Sequence, residues 1–441
     1  MLLIKNAEVV SSNRTDTADV WIEGTTIVQV GGSLKTIPVE TIDAKGLMLI
    51  PGVIDTHVHF RQPGMEWKED IKSGSSAAAA GGVTTVFDMP NTIPPTVDES
   101  SLTAKRKAFS EQSLVNYGIF IGAASSNMDF LNTAENVPGI KVFMGSSTGS
   151  LLLSDEKELE KVFACGSRLI AAHAEDEALL LLNKEKYRSA NQASFHPLIR
   201  SPETALTATV KAVQFSQKYQ RRLHLLHLST QEEVEYLSGI YHKKHITAEV
   251  TPHHLVLSSP ECYEQLNTFA QTNPPVREKR HSQALWTALK KGVIHTIASD
   301  HAPHLVSEKE KGYGLAPSGV PGVETSLPLM LNQVNKGQCS VHEIVKWMCE
   351  NPALMFRLKN KGFIKKGFDA DLVLVDMKKR KKVQNGRLFT KPNWSPYDGW
   401  TVQGWPVITF VNGQIAFREG EIMTSTLGKE VVFNKYEFRS Q

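Results

Sequence analysis

The stretch IDTHVHFRQP (Ile54–Pro63) begins as an apolar strand and ends in side chains that do chemistry. Asp55, His57 and His59 alternate with Thr56 and Val58, so the three polar side chains share one strand face. A rise of about 3.3 Å per residue sets the two histidine backbones roughly 6.6 Å apart, close enough for both imidazoles to reach one ion. Arg61 follows two residues later. Taken alone, an H-x-H pair also suits an ordinary half-buried strand. The decisive point is that the same plan recurs along the chain.

Eight apolar, β-rich runs follow one another: LMLIPGVID, VTTVFDM, YGIFIGA, GIKVFMG, RLIAAHA, LHLLHLS, ITAEVTP and VIHTIAS, between Leu47 and Ser299. Helical patterns separate several of them. EDIKSGSSAAAAGG is one, and SPETALTATVKAVQFSQKYQ is another, with Ser201 as N-cap, Pro202 as first helical residue and Glu203 in the first turn. Eight strands alternating with helices predict a (β/α)8 TIM barrel, with a doubly wound open sheet as the alternative. Polar residues favour the barrel. Nearly every run ends in His, Asp, Asn or Lys, and only a barrel gathers all eight such ends around one mouth.

The two ends of the chain read differently. Short strand patterns fill the first 45 or so residues (LLIKNAEVV, ADVWIEGTTIVQV) and return near the end (DADLVLVD, WPVITFVNG, QIAFREGEI). The expected organisation is a small β-sandwich domain composed of residues 1–48 and 365–441, with the barrel over 49–364.

Balanced charge, 49 basic against 46 acidic residues, argues against a nucleic-acid surface. The basic run KKRKK (Lys378–Lys382) lacks interleaved aromatics and reads as a solvated loop. Cys165, Cys262, Cys339 and Cys349 show no C-x-x-C spacing. No apolar run approaches the ~20 residues of a membrane span, and the N-terminus lacks signal-peptide features. A cytoplasmic protein with no membrane or nucleic-acid partner is expected.

Three more runs deliver candidate ligands at strand ends: His173 in LIAAHAED, His227 in LHLLHLST and Asp300 in IASDHAPH. One such residue alone is a hydrogen-bonded histidine or a helix cap. Four histidines and an aspartate in the same position point to a metal, with Zn2+ suited to the ligand type and Co2+, Mn2+ or Fe2+ as alternatives. Five ligands exceed what one catalytic zinc takes, so two metals and an anionic bridge are expected. Lys141, inside the apolar strand GIKVFMG, is either a lysine paired with a carboxylate or a buried amine of depressed pKa able to take up CO2.

PGVIDTHVHFRQPG, FDMPNTIPPT, GIKVFMGSS, HAEDE, TNPPVR, IASDHAPH and APSGVPGVET, in this order, resemble segments of the cyclic amidohydrolases of the amidohydrolase superfamily. Among its branches the chain is most similar to the dihydroorotases. Arg61 stands where that branch has a carboxylate-gripping arginine, allantoinases usually carry asparagine and dihydropyrimidinases lack the arginine. MPNT (Met89–Thr92) also resembles that branch, and no tyrosine follows Lys141 as a dihydropyrimidinase would have.

The resemblance implies reversible cyclisation of N-carbamoyl-L-aspartate to L-dihydroorotate in pyrimidine biosynthesis, with allantoinase or hydantoinase-type hydrolysis as the alternative. It further implies two Zn2+ ions: His57, His59 and Asp300 on one, His173 and His227 on the other, and carbamylated Lys141 bridging. Arg61, Asn91 and His304 would bind the substrate carboxylate and Asn273 the ring, with Asp300 as general acid/base. A homo-oligomer, with a dimer favoured, is the expected assembly.

A non-catalytic scaffold relative would be expected to lose ligands, and all six positions are filled here. GSSTGS from Gly145 lacks the G-K-[ST] of a phosphate loop and reads as an active-site loop that includes Thr148. His253 and His254, at the end of strand seven, are either orienting donors or ordinary polar strand-end residues and stay outside the site.

Overall fold

The apolar runs become short parallel strands because parallel strands are covered on both faces and read as near-continuous hydrophobic sequence. The computed structural model describes every residue except 35, 148–150, 241, 426–427 and 435–441. Its central strands are β1 (Val53–Val58), β2 (Val83–Asp88), β3 (Asn116–Ile119, resumed at Ile121–Gly122), β4 (Ile140–Phe143), β5 (Ile170–His173), β6 (Leu223–Leu225), β7 (Ile246–Val250) and β8 (Thr296–Ile297). Each pairs in parallel with the next in chain order. Across the break in β3, the Phe120 amide donates to the Asp88 carbonyl at 3.0 Å.

The ring closes between β8 and β1. Val58 and His301 form a parallel bridge, and the His59 amide donates to the His301 carbonyl at 2.8 Å. The Ser299 amide donates to Asp55 Oδ1 at 3.0 Å. This closure distinguishes a (β/α)8 barrel from an open sheet.

Alternation along each strand divides the core. Ile140, Val142, Ile170 and Ala172 join the large cluster shared with the helices. Ile54, Phe87, Phe120 and Ala171 join a smaller cluster with Phe356, whose ring lies 5.0 Å from that of Phe87. The helix Ile71–Ala80 starts at a reciprocal Asp70/Ser73 capping box, and its Gly74 lets the Phe60 ring approach to where a Cβ would meet carbon at 2.6 Å. The helix Pro202–Lys218 begins as the sequence indicates, with Ser201 Oγ accepting from the Thr204 amide at 3.3 Å.

Strands from both termini form one nine-stranded sheet. Met48–Pro51 runs antiparallel to the first residues of Leu372–Lys382 and parallel to Leu2–Val10, joining the two halves. Ile4, Val20, Ile22, Leu49, Leu372, Leu374 and Phe410 fill one core, giving a β-sandwich.

Three local readings change. LMLIPGVID is two elements rather than one: Met48–Pro51 belongs to the terminal sheet, and β1 starts after Gly52. Gly52 is required there, since a Cβ would fall 2.1 Å from Thr84 Oγ1. The KKRKK run is the end of a strand, not a loop, because Arg380–Lys382 pair with Thr401–Gln403 while their side chains stay solvated. His253 and His254 lie in the short helix Pro252–Val256, capped by Thr251, rather than at a strand end.

The C-terminal segment also leaves the sandwich twice. Trp394 Nε1 donates to the His304 carbonyl at 2.7 Å on the barrel. Further on, Lys429 and Val431 hydrogen-bond the Tyr117 backbone of β3 at 3.0 and 2.9 Å.

Candidate metal centre and active site

Asp55 shows how the local sequence builds the site. Its Oδ1 accepts from the amides of His57 (3.2 Å) and Ser299 (3.0 Å), tying the end of β1 to the end of β8. Just beyond the strands the chain turns sharply. Arg61, His227 and Asp300 adopt φ of 62°, 38° and 46°, each a left-handed conformation of order 1–3 kcal/mol in cost that the surroundings must hold.

The strand ends bring the predicted ligands together. His57 Nε2 and His59 Nε2 each lie 3.3 Å from Asp300 Oδ1. His173 Nδ1 and His227 Nε2 are 2.9 Å apart. Ligand atoms of His57, His227 and Asp300 all fall within 4.8 Å of one another. Lys141 shares the same cavity wall with Phe143, Ser147, Asn273, Ser318 and Gly319.

The opposite edges of the rings are already engaged. His57 Nδ1 donates to Glu249 Oε1 at 2.6 Å, and His59 Nδ1 donates to Asn91 Oδ1 at 2.7 Å. His173 Nε2 faces Glu175 Oε2 at 3.0 Å. His57 and His59 are therefore oriented from behind and present Nε2 to the cluster, the arrangement that metal-ligating histidines adopt.

Electrostatics fit the same purpose. Burial lowers the pKa of His173, takes His59 down to about 3 and His227 well below the usual range, so these rings are neutral and able to ligate. Burial opposes ionisation of Asp300, whose Oδ1 faces Nε2 of both His57 and His59. Burial brings Lys141 down to about 7, leaving a large neutral fraction at neutral pH. Neutral imidazoles, a carboxylate and a weakly basic amine are a donor set that fits divalent cations.

The predicted substrate residues fall into separate places. Asn273 lines the cavity, its Oδ1 accepting from His196 Nε2 at 3.0 Å. Asn91 holds His59, as above. Arg61 and His304 touch each other: Arg61 Nη2 is 3.2 Å from His304 Nε2, and Arg61 Nε donates to the Pro303 carbonyl at 3.2 Å. Both are almost fully buried. Thr148 lies outside the described residues.

Sequence reasoning missed the supporting groups. Glu249 is wholly buried and accepts from His57, His224 Nε2 (3.1 Å) and Thr56 Oγ1 (3.1 Å). A carboxylate within the apolar run ITAEV was the available signal. Glu175, two residues after His173, pairs with Arg200, which also donates to the Ser146 carbonyl. His254 Nε2 reaches the Pro274 carbonyl at 3.1 Å, steadying the residue after Asn273. Nothing in the sequence pointed to His196.

Known proteins resemble this chain along nearly its whole length. The amidohydrolase family model matches residues 48–416. The dihydroorotase of Methanosarcina acetivorans is 37% identical over 436 residues, covering 95% of this chain and 92% of that protein. The dihydroorotase of Pyrococcus horikoshii is 37% identical over 401 residues, covering 90% and 87%. Among solved structures, the L-hydantoinase (dihydropyrimidinase) from Arthrobacter aurescens superposes with a TM-score of 0.93 at 29% identity, over 98% of this chain and 99% of that one. With the family match spanning the barrel and the later strands of the flanking sheet, and relatives this similar along nearly their whole length, the chain belongs to the amidohydrolase family.

Proposed function

We propose that this chain is a dihydroorotase that interconverts N-carbamoyl-L-aspartate and L-dihydroorotate, serving pyrimidine biosynthesis. The observation that carries this reading is the buried Arg61–His304 pair beside the histidine–aspartate cluster. A cyclic amide that bears a carboxylate gives such a pair something to hold, and a guanidinium fork suits a carboxylate. Relatives named dihydroorotase at 37% identity support the same choice. The hydantoinase structures share the fold at lower identity, and fold alone does not select a substrate.

His57, His59 and Asp300 would hold one zinc ion and His173 and His227 a second, with Lys141 bridging as a carbamate. When bound, zinc supplies Lewis acidity and an acidified water. The neutral Lys141 amine can add to CO2, forming an N–C bond as one C=O π bond opens onto oxygen and an amine proton passes to water. Arg61, Asn91 and His304 bind the substrate carboxylate, and Asn273 orients the ring from the cavity wall. In ring opening, the Asp300 carboxylate takes a proton from the attacking water. It returns that proton to the ring nitrogen as the amide C–N bond breaks. Ring closure runs the same transfers in reverse.

Two further points belong to this reading. Free Cys165, Cys262, Cys339 and Cys349 fit a reducing cytoplasm, and no helix among the described residues is long and apolar enough to cross a membrane. Leu181 and Leu182, exposed on the helix Glu177–Lys186, give a homodimer an apolar face to bury.

The deciding experiment assays purified, zinc-loaded protein on dihydroorotate, allantoin, hydantoin and dihydrouracil side by side. Dihydroorotate should be opened fastest. Faster opening of any of the other three overturns the assignment.

A further inference from the structure

The contact between Arg61 and His304 contains a hydrogen-bonding conflict. Arg61 Nη2 lies 3.2 Å from His304 Nε2, while Lys68 Nζ lies 3.1 Å from His304 Nδ1. Guanidinium and ammonium groups only donate, and a neutral imidazole has one accepting nitrogen. The ring is neutral, because burial, reinforced by Arg61 and Lys68, takes its pKa down to about 3. One of the two cations must therefore face an N–H.

Its surroundings decide which. His304 Nε2 also lies 3.0 Å from the Ser318 carbonyl oxygen, which can accept only if Nε2 carries the proton. On the other edge, Glu308 Oε2 is 3.8 Å from Nδ1, beyond hydrogen-bond reach. Lys68 itself is pinned by Glu308 Oε1 at 2.9 Å, and Glu308 Oε2 is held by the Leu305 amide at 3.0 Å. Nδ1 is thus the acceptor, filled by Lys68. His304 Nε2–H, which faces the Ser318 carbonyl, and Arg61 Nη2–H are two donors 3.2 Å apart, and an anion placed against both shares the first and pairs the second.

We propose that Lys68 is a positioning residue: by donating to His304 Nδ1 it holds the ring as the Nε2–H tautomer, so that His304 and Arg61 form a two-donor clamp on one substrate carboxylate. This rests on the carboxylate-bearing substrate proposed above. Lys68 touches no substrate and acts only through the imidazole. The clamp selects a carboxylate-bearing ring over a neutral cyclic amide, because the latter leaves the Arg61 Nη2 donor facing an N–H with no anion to accept from it.

The test uses full-length, zinc-loaded protein carrying Lys68→Met, which removes the donor, or Lys68→Arg, which keeps one. Lys68→Met should raise KM for dihydroorotate and N-carbamoyl-L-aspartate about tenfold or more, with kcat changed far less, and Lys68→Arg should restore most of the loss. Nitrogen NMR of 15N-histidine-labelled, substrate-free protein reads the tautomer directly: His304 should be Nε2–H in the wild type and mixed in Lys68→Met. An unchanged KM, a fall in kcat matching the rise in KM, or an Nδ1–H tautomer in the wild type overturns the proposal. A wild type that ignores both carboxylates while showing Nε2–H sinks the substrate reading and leaves the tautomer assignment standing.

Discussion

Glu249 Oε1 accepts from His57 Nδ1 at 2.6 Å, and its other oxygen accepts from His224 Nε2 and Thr56 Oγ1 at 3.1 Å each. Burial opposes the charge on Glu249, yet His57 and His224 outweigh it and bring the carboxyl down to about 2. An ionised, fully buried carboxylate thus fixes the tautomer and tilt of a candidate ligand. Glu249→Gln retains the shape but loses the charge, and should weaken zinc binding by about 10- to 100-fold. Chelator competition measures this, and wild-type zinc affinity in the variant would refute the orienting role.

Lys141 carries the bridging assignment. Lys141→Ala should lose zinc and at least about a hundredfold of turnover, since a bridge between two cations disappears with it. Acetate or propionate, able to enter the cavity the lysine vacates, should return part of both. Metal content by elemental analysis decides the matter: full occupancy in the variant excludes the bridge.

The proposed function gives Asp300 two roles, metal ligand and proton carrier. Asp300→Asn should abolish detectable turnover, a loss of at least about 10²–10⁴-fold, while dihydroorotate still binds through Arg61 and Asn273. Calorimetric titration with dihydroorotate supplies the second readout. Turnover near the wild-type rate would remove Asp300 from the acid/base role.

Arg61 is the specificity test. Arg61→Lys keeps the charge but loses the planar fork, so KM for dihydroorotate should rise by about tenfold to a hundredfold. Any slow opening of dihydrouracil, which lacks the carboxylate, should be nearly unaffected. Equal losses on both substrates would mean that the guanidinium supports the fold rather than the carboxylate.

The parts of this protein legible in its sequence are those with a local period. β2, β4 and β5 are short and wholly buried, so the apolar runs VTTVFDM, GIKVFMG and RLIAAHA locate them by pattern alone. His57, His59, His173, His227 and Asp300 stood out because each breaks an apolar run at its end. The oversights have a common cause: they depend on pairs far apart in the chain. Glu249 meets His57 across 192 residues, and Trp394 reaches the His304 carbonyl across 90, a contact invisible to any windowed pattern. The split of LMLIPGVID between two sheets turns on Gly52, whose necessity comes from Thr84 on the neighbouring strand. Arg61 and His304 were expected at one substrate carboxylate, and the fold brings them into contact, but the Lys68 that meets the other edge of the imidazole had no signal in the sequence.

Glu324 gives a prediction about stability rather than catalysis. Burial raises its pKa from 4.5 to about 7, only partly offset by the Phe389 amide that donates to Oε2 at 2.8 Å. The folded pKa lies above the unfolded one, so the favourable contribution is complete below about pH 4.5 and disappears as pH rises through 7. Above that pH the buried carboxylate is ionised, at a cost of roughly 3 kcal/mol. Glu324→Gln has no charge to bury and keeps an oxygen for the Phe389 amide. Its melting temperature relative to wild type should therefore climb between pH 5 and pH 9, when both are scanned at one rate. A difference in Tm that stays constant across that range would show that Glu324 does not titrate in the folded protein.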